Sequence, residues 1–254
     1  MKKELRNFIF KLKIKFISFL KKESEYTVMQ KLAYKKGTSN HLEHNANKDY
    51  WDILLAPLKN NNYSWTNKKA LDFGCGKGRN IINILKICDF SNVDGIDISK
   101  ANIEYCKRNI KNNSKSEFYI SDGKSLTPIK NSIYDFVVST IVLQHICVFD
   151  IRDSILRDIF RVLKHGGIFS FQMGFDKILL DKTGKKKLTK YYENNTTALG
   201  TNSSNDVAVQ DEKEVIDHLK DIGFINIKTK ISNSFSDMIH ENWIYVLAEK
   251  PMKF

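Results

Sequence analysis

Two carboxylates (Asp72, Asp97) and three glycines (Gly74, Gly76, Gly78) stand out in this 254-residue chain by type and spacing, and two histidines (His145, His240) by type. The glycines recur every second residue in Asp72-Phe73-Gly74-Cys75-Gly76-Lys77-Gly78, directly after the apolar Ala70-Leu71. The order reads as a strand, a tight loop and a helix start. Glycine reaches backbone angles closed to other residues and, having no Cβ, lets a ligand lie against the main chain. The helix that follows points free N–H groups and the positive end of its dipole into the same space. Asp72, at the end of the strand, is expected to accept N–H bonds from the loop and hold its shape. The bland alternative, an ordinary βα turn, does not need three glycines. Asp97 closes the next apolar run, Val93 to Ile98, 23 residues after Gly74. In nucleotide-binding βαβ units a carboxylate about 20 residues past the glycines accepts hydrogen bonds from ribose hydroxyls.

Glycine spacing separates two kinds of site. A dinucleotide site uses G-x-G-x-x-G, with a third glycine for close packing beside a pyrophosphate. Arg79 occupies that third position here, and the pattern is D-x-G-x-G-x-G. Proton transfer near neutral pH suits histidine. His145, just after an apolar run ending at Thr140, and His240, near Trp243, are the histidines open to such a role. The alternative for each is a structural histidine. Cys75, Cys88, Cys106 and Cys147 form no CxxC pair and have no histidine at ligand spacing, so no metal site is predicted. They read as reduced thiols of a cytoplasmic protein.

The elements that must carry these residues alternate in the βαβ manner. Strands are predicted near 69–73, 92–97, 117–121, 134–140 and 167–173, with helices near 77–88, 99–111 and 150–164. Right-handed crossovers place Gly74, Asp97, Asp122 and Ser139 along one sheet edge, where a ligand belongs. A helix over 211–220 and strands over 224–230 and 243–248 close the chain with an antiparallel hairpin. The fold class is therefore α/β: a Rossmann-like, seven-stranded, mostly parallel sheet with helices on both faces.

The chain divides into a basic N-terminal segment (1–22), a helical cap (23–66) and a main domain (67–254) with a polar insertion near 175–210. Residues 1–22 carry eight Lys or Arg against Glu4, a net +7 out of the chain's +12, interleaved with nine Phe, Ile and Leu between Phe8 and Leu20. Neither a transmembrane span nor a secretory signal fits. As a helix the segment suits the surface of an anionic membrane, at its inner face; docking on the protein's own core or on a partner, and nucleic-acid contact, are the alternatives. In the insertion, Tyr191-Tyr192 in a polar setting suits contact with something planar or sugar-like, against the alternative of a solvated loop.

The D-x-G-x-G-x-G motif resembles the class I S-adenosylmethionine-dependent methyltransferases. Three further segments agree in order: Phe118 to Gly123, Ile133 to Thr140 followed by Leu143-Gln144-His145-Ile146, and Leu163 to Phe169 with its Gly166-Gly167 turn. The resemblance covers about 66–175, and 211–249 more loosely. It implies S-adenosyl-L-methionine as cofactor, held by Asp72, Gly74, Gly76, Gly78, Asp97, Ile98, Asp122, Gly123 and Ser139, with Asp122 meeting the adenine amine. It also implies an acceptor pocket for which Tyr50, Trp51, Tyr191, Tyr192 and His240 are candidates, with His145 as the catalytic residue. The N/D-P-P-Y/F motif of enzymes that methylate base amines is missing, since that position reads Ser139-Thr140-Ile141-Val142, so nucleic acid is disfavoured as a partner. The basic balance suits an acidic or sugar-containing small acceptor, methylated at oxygen. The region from Tyr191 to Trp243 loosely resembles small-molecule members, some associated with bacterial surface polysaccharides. A nicotinamide-dependent oxidoreductase and a catalytically silent binding protein are the remaining alternatives.

Overall fold

The computed structural model describes residues 2–37, 50–59, 64–110, 116–179, 188–196, 206–233 and 240–253. Strands β1 (Lys69–Phe73), β2 (Asn92–Asp97), β3 (Phe118–Ile120), β4 (Tyr134–Thr140), β5 (Leu163–Phe175), β8 (Ile225–Asn233) and β9 (Asn242–Glu249) form one sheet in the order β3-β2-β1-β4-β5-β9-β8. The first five pair in parallel, and β9 inserts antiparallel between β5 and β8. The expected terminal hairpin is present, with its last strand on the inside. Two short strands, β6 (Thr189–Lys190) and β7 (Val207–Ala208), pair separately within the insertion.

Alternation along the central strands divides the core between two faces. Leu71, Phe73 and Val137 pack in one cluster; Ala70, Phe136 and Val138 pack in the other. Helices α5 (Phe149–Val162) and α6 (Glu212–Ile222) cover the first face, through Ile155, Ile159, Val215 and Leu219. Helix α3 (Arg79–Ile87) covers the second through Ile81 and Ile84, and α4 (Lys100–Asn109) joins it through Ile103. All seven residues of β4 are buried, as befits a strand between two covered faces. Local chemistry marks the helix ends: Ser99 caps α4, and α6 starts with an Asp211/Glu214 capping box and stops at Gly223.

Helices α1 (Lys2–Lys21) and α2 (Glu25–Ala33) precede the sheet. Ser24 caps α2 by accepting from Thr27 N. Tyr26, Val28 and Met29 of α2, with Ile14 of α1, enter the same core cluster as Leu71 and Val137. The segment before β1 contributes Leu54, Leu55, Leu58 and Trp65 to the opposite cluster. No described helix is long and apolar enough to cross a membrane, and the described residues hold no metal-ligating group of three.

Candidate functional site

The glycine loop is shaped by its backbone. Gly74, Gly76 and Gly78 have φ of 73°, 53° and 89°, the left-handed region that side chains disfavour. Space is short as well: a Cβ on Gly74 would lie 2.3 Å from Val142 Cγ2. The loop hangs from the end of β2, where Gly74 N and Cys75 N donate to Ile96 O at 2.8 and 3.1 Å and Gly76 N donates to Asp97 Oδ2 at 2.8 Å. Asp97 Oδ1 accepts from Ser99 N and Asn102 Nδ2. Burial raises the Asp97 carboxyl, against the lowering effect of these donors. Two oxygens offer about four acceptor positions, and three are used locally.

Asp72 does something other than expected. It does not hold the loop, because strand alternation aims it at the α3 face, where Asn80 Nδ2 donates to its Oδ1 at 2.8 Å. Asn80 and Arg79 both donate to Thr140 Oγ1, tying the start of α3 to the end of β4. Oδ2 of Asp72 is buried with no hydrogen-bond partner among the described residues. Burial pushes its carboxyl up to about 7. Ser139 also differs from expectation: it is fully buried, and its hydroxyl donates to Phe73 O at 3.0 Å, locking β1 to β4 instead of facing a ligand. Asp122 lies exposed at the edge, with Lys124 N, Ser125 N and Ser125 Oγ donating to its carboxylate. Gly123 follows beneath Ile98 and Thr27 of α2, so the first helical cap reaches this loop.

Beyond β4 a second cluster assembles from distant segments. His145 Nδ1 lies 2.8 Å from Asp206 Oδ1, and Nε2 of His145 makes no hydrogen bond among the described residues. Asp206 Oδ2 is 3.8 Å from His240 Nε2, and His240 Nδ1 is hydrogen-bonded to Asp176 Oδ2. His145, Asp206, His240 and Asp176 therefore form an alternating chain of imidazoles and carboxylates. His145 keeps a quarter of its side chain exposed, whereas His240 is 2% exposed. His240 was expected to line the acceptor pocket; it lies behind Asp206, its ring filling the space left by Gly174, where a Cβ would sit 2.1 Å from Cε1. Burial lowers the His240 imidazole, but Asp176 and Asp206 outweigh it and hold the group above its ordinary value. The Asp206 carboxyl is lowered in spite of its burial, by His145 and His240.

Helix α2 supports this cluster. Tyr26 OH donates to His145 O at 2.9 Å and accepts from Cys147 N, and Gln30 Nε2 reaches the same carbonyl at 3.2 Å. Burial, then the charges of Asp206 and Asp97, raises the Tyr34 phenol. Gln144 is 1% exposed, with both amide atoms unpartnered among the described residues.

The aromatic pair of the insertion faces elsewhere. Tyr191 is 1% exposed, its OH 3.0 Å from His218 Nδ1 and its ring against Phe149 and Arg152. Tyr192 OH donates to Glu214 O. Both pack on α5 and α6, because the insertion folds back onto the loop after β4: Phe149 N donates to Glu193 O, and Asn195 N to Cys147 O. Tyr50 and Trp51 open a single π-turn, Tyr50–Leu54; their side chains lie outside the described residues, as do 38–49, 180–187 and 197–205. Sequence reasoning missed Tyr26, Tyr34, Asn80, Asp176 and Asp206. Asn80, within the first turn of α3, was the one with a local signal; Asp206 reads as one more polar residue in a polar run.

A methyltransferase domain family matches residues 71–171. No curated protein is similar enough to count as a relative. Among solved structures, a S-adenosylmethionine-dependent methyltransferase from Methanosarcina mazei is 22% identical over 76% of this chain and 96% of that one, with a TM-score of 0.57. One from Mesorhizobium loti is 15% identical over 80% of this chain and 99% of that one, at 0.57. Phosphoethanolamine N-methyltransferase 2 of Haemonchus contortus, in complex with phosphomonomethylethanolamine and S-adenosylhomocysteine, is 18% identical over 80% of this chain, at 0.58; the chain spans 53% of its length. At these identities the likeness is one of fold. The residues fit the cofactor: a sulfonium and an ammonium bring positive charge, and beside the glycine loop lies a buried carboxylate oxygen, Asp72 Oδ2, without a partner among the described residues. Residues 71–171 are a methyltransferase domain, the sheet has the fold of S-adenosylmethionine-dependent methyltransferases, and S-adenosylmethionine is the cofactor.

Proposed function

We propose that this methyltransferase acts on a hydroxyl oxygen of a small, acidic or sugar-like acceptor, with His145 as general base. The observation that carries the reading is the His145–Asp206 pair at 2.8 Å, with Nε2 of the same ring left without a hydrogen bond among the described residues. A carboxylate on Nδ1 selects the tautomer protonated there and leaves Nε2 as the acceptor of a proton. S-adenosylmethionine supplies a methyl carbon on a sulfonium, open to in-line displacement by an oxygen placed behind it. On methyl transfer the acceptor's hydroxyl proton would pass to His145 Nε2, and Asp206 would stabilise the imidazolium so formed. His240, held between Asp206 and Asp176, keeps Asp206 ionised and in place.

On the cofactor side, Asp97 would take the ribose with the acceptor position its local bonds leave over, and Asp122 and Gly123 would meet the adenine. Asp72 adds favourable charge. The net charge of +12 favours an acidic acceptor. Four cysteines with no disulfide among them agree with a cytoplasmic site of action. Calorimetric titration with S-adenosylhomocysteine, beside NAD, tests the cofactor half. Transfer of label from methyl-labelled S-adenosylmethionine to hydroxyl, amine and carboxyl acceptors tests the acceptor half. Label on amines alone, undiminished in His145→Ala, would overturn the base; cofactor binding with no transfer to any class would leave a silent binding protein.

A further inference from the structure

Helix α1 has two apolar faces, and the protein's own core uses only one of them. Ile14, 2% exposed, enters the core cluster beside Tyr26 and Val28, and Ile17 packs against it. Leu5, Phe8, Ile9, Leu12, Phe16, Phe19 and Leu20 are 51 to 82% exposed. At about 100° per residue these seven fall on one stripe roughly 120° wide, away from Ile14. Of the thirteen exposed large hydrophobic residues among the described ones, eight lie in this single helix. The same rotation sets Lys11 and Lys15 along one border of the stripe and Lys13 along the other, all three exposed.

An apolar stripe bordered by lysines matches the profile of an anionic bilayer, where apolar side chains sink below the headgroups and ammonium groups stay among the phosphates. A second copy of the chain is a poor occupant, because it would set one +7 segment against another. The helix is too polar to cross a membrane. We propose that α1 is a peripheral docking helix whose outer face lies on an anionic lipid surface while its inner face holds the methyltransferase domain. The contact is mechanically close to the site: α1 packs on α2, and α2 holds the His145 carbonyl through Tyr26 and Gln30. The inference stands apart from the choice of acceptor.

The test is co-sedimentation of the full chain with phosphatidylcholine vesicles, with and without phosphatidylglycerol, at low and high salt, beside a Phe16→Asp/Phe19→Asp variant. Each anionic-surface lysine contributes about 1 kcal/mol, so partitioning should rise roughly tenfold or more with phosphatidylglycerol and fall with salt. The variant should stay in the supernatant while binding S-adenosylhomocysteine as the parent does, since both side chains face solvent. Equal partitioning to both vesicles, no partitioning to either, or full binding by the variant would overturn the proposal. So would a lipid-free dimer that the variant converts to a monomer, which would make this face a contact between copies. Cofactor titration is a separate readout, so failure here and failure of the methyl-transfer reading are distinguishable.

Discussion

The glycine loop and the cluster around His145 are built in opposite ways. The loop hangs from Asp97, which accepts from the main-chain N–H groups of Gly76 and Ser99 across 21 and 2 residues, while Asn80 reaches Asp72 across 8. In the cluster, side chains meet across greater distances: His145 meets Asp206 across 61 residues, and His240 meets Asp176 across 64. A site made of backbone depends on conformational freedom and room, so its weak points are glycines. One made of side chains depends on charge and orientation, so its weak points are the titrating groups.

The largest effect is expected where orientation matters most. His145→Ala should lower turnover by roughly 10²- to 10⁴-fold, the usual span for a lost general base, with cofactor affinity unchanged. Asp206→Asn should fall within the same span, and the double variant should be little worse than either, because groups acting as a unit are not additive. Asp206 acts through His145, so its loss should lower kcat and leave the KM for S-adenosylmethionine unchanged. An unchanged kcat would reduce Asp206 to a structural contact.

On the backbone side, Gly74→Ala combines a left-handed backbone, about 1–2 kcal/mol for an L-residue, with the collision against Val142. Melting temperature and S-adenosylhomocysteine affinity should both fall. Adding Val142→Ala should return the part due to space and leave the part due to φ, which separates the two causes. Asp97→Ala should weaken S-adenosylhomocysteine by roughly 1–3 kcal/mol, through both the ribose and the loop that Asp97 suspends. Unchanged affinity in calorimetry would remove Asp97 from the cofactor half.

The smallest effects are in pH dependence, and they run in the same direction for different reasons. Asp72 carries a carboxyl raised by burial to about 7 against 3.8 in the unfolded chain. Between those values the folded state binds the extra proton, so stability falls as pH rises from about 4 to 7. Asp72→Asn should flatten that slope and raise stability at pH 8 by on the order of 1–3 kcal/mol while weakening the cofactor. His240 is held above its ordinary 6.5. Its stabilisation is complete below that value and is lost as pH rises through the raised one, so His240→Gln should flatten the loss above neutrality. Thermal melts across pH, with and without S-adenosylhomocysteine, check both.

Much of the cofactor half was legible in the sequence because its parts are short-range. Glycine spacing, apolar runs and a carboxylate at fixed distance are local signals, and the mostly parallel sheet and the terminal hairpin follow from them and from crossover handedness. Two side chains there make bonds that were not expected, for one reason: a side chain's direction depends on which face of the strand it occupies. Asp72 faces α3 and Ser139 is sealed between β1 and β4, which a linear pattern does not distinguish from facing the ligand. For the basic N-terminal segment, docking on the protein's own core was one of several alternatives; the structure buries Ile14 in the core and leaves Leu5, Phe8 and Leu12 exposed.

By itself, then, the sequence determined the sheet, the cofactor loop and the chemistry available at its edge, because propensity, glycine geometry and hydrophobic period act over a few residues. Only the tertiary structure decided that Tyr191 is core, that His240 lies behind Asp206, and that Asp206 meets His145. Those contacts join segments separated by a helix or more, and their partners are set by how the insertion packs back on the loop after β4, a matter of surface complementarity that no short stretch of the chain contains.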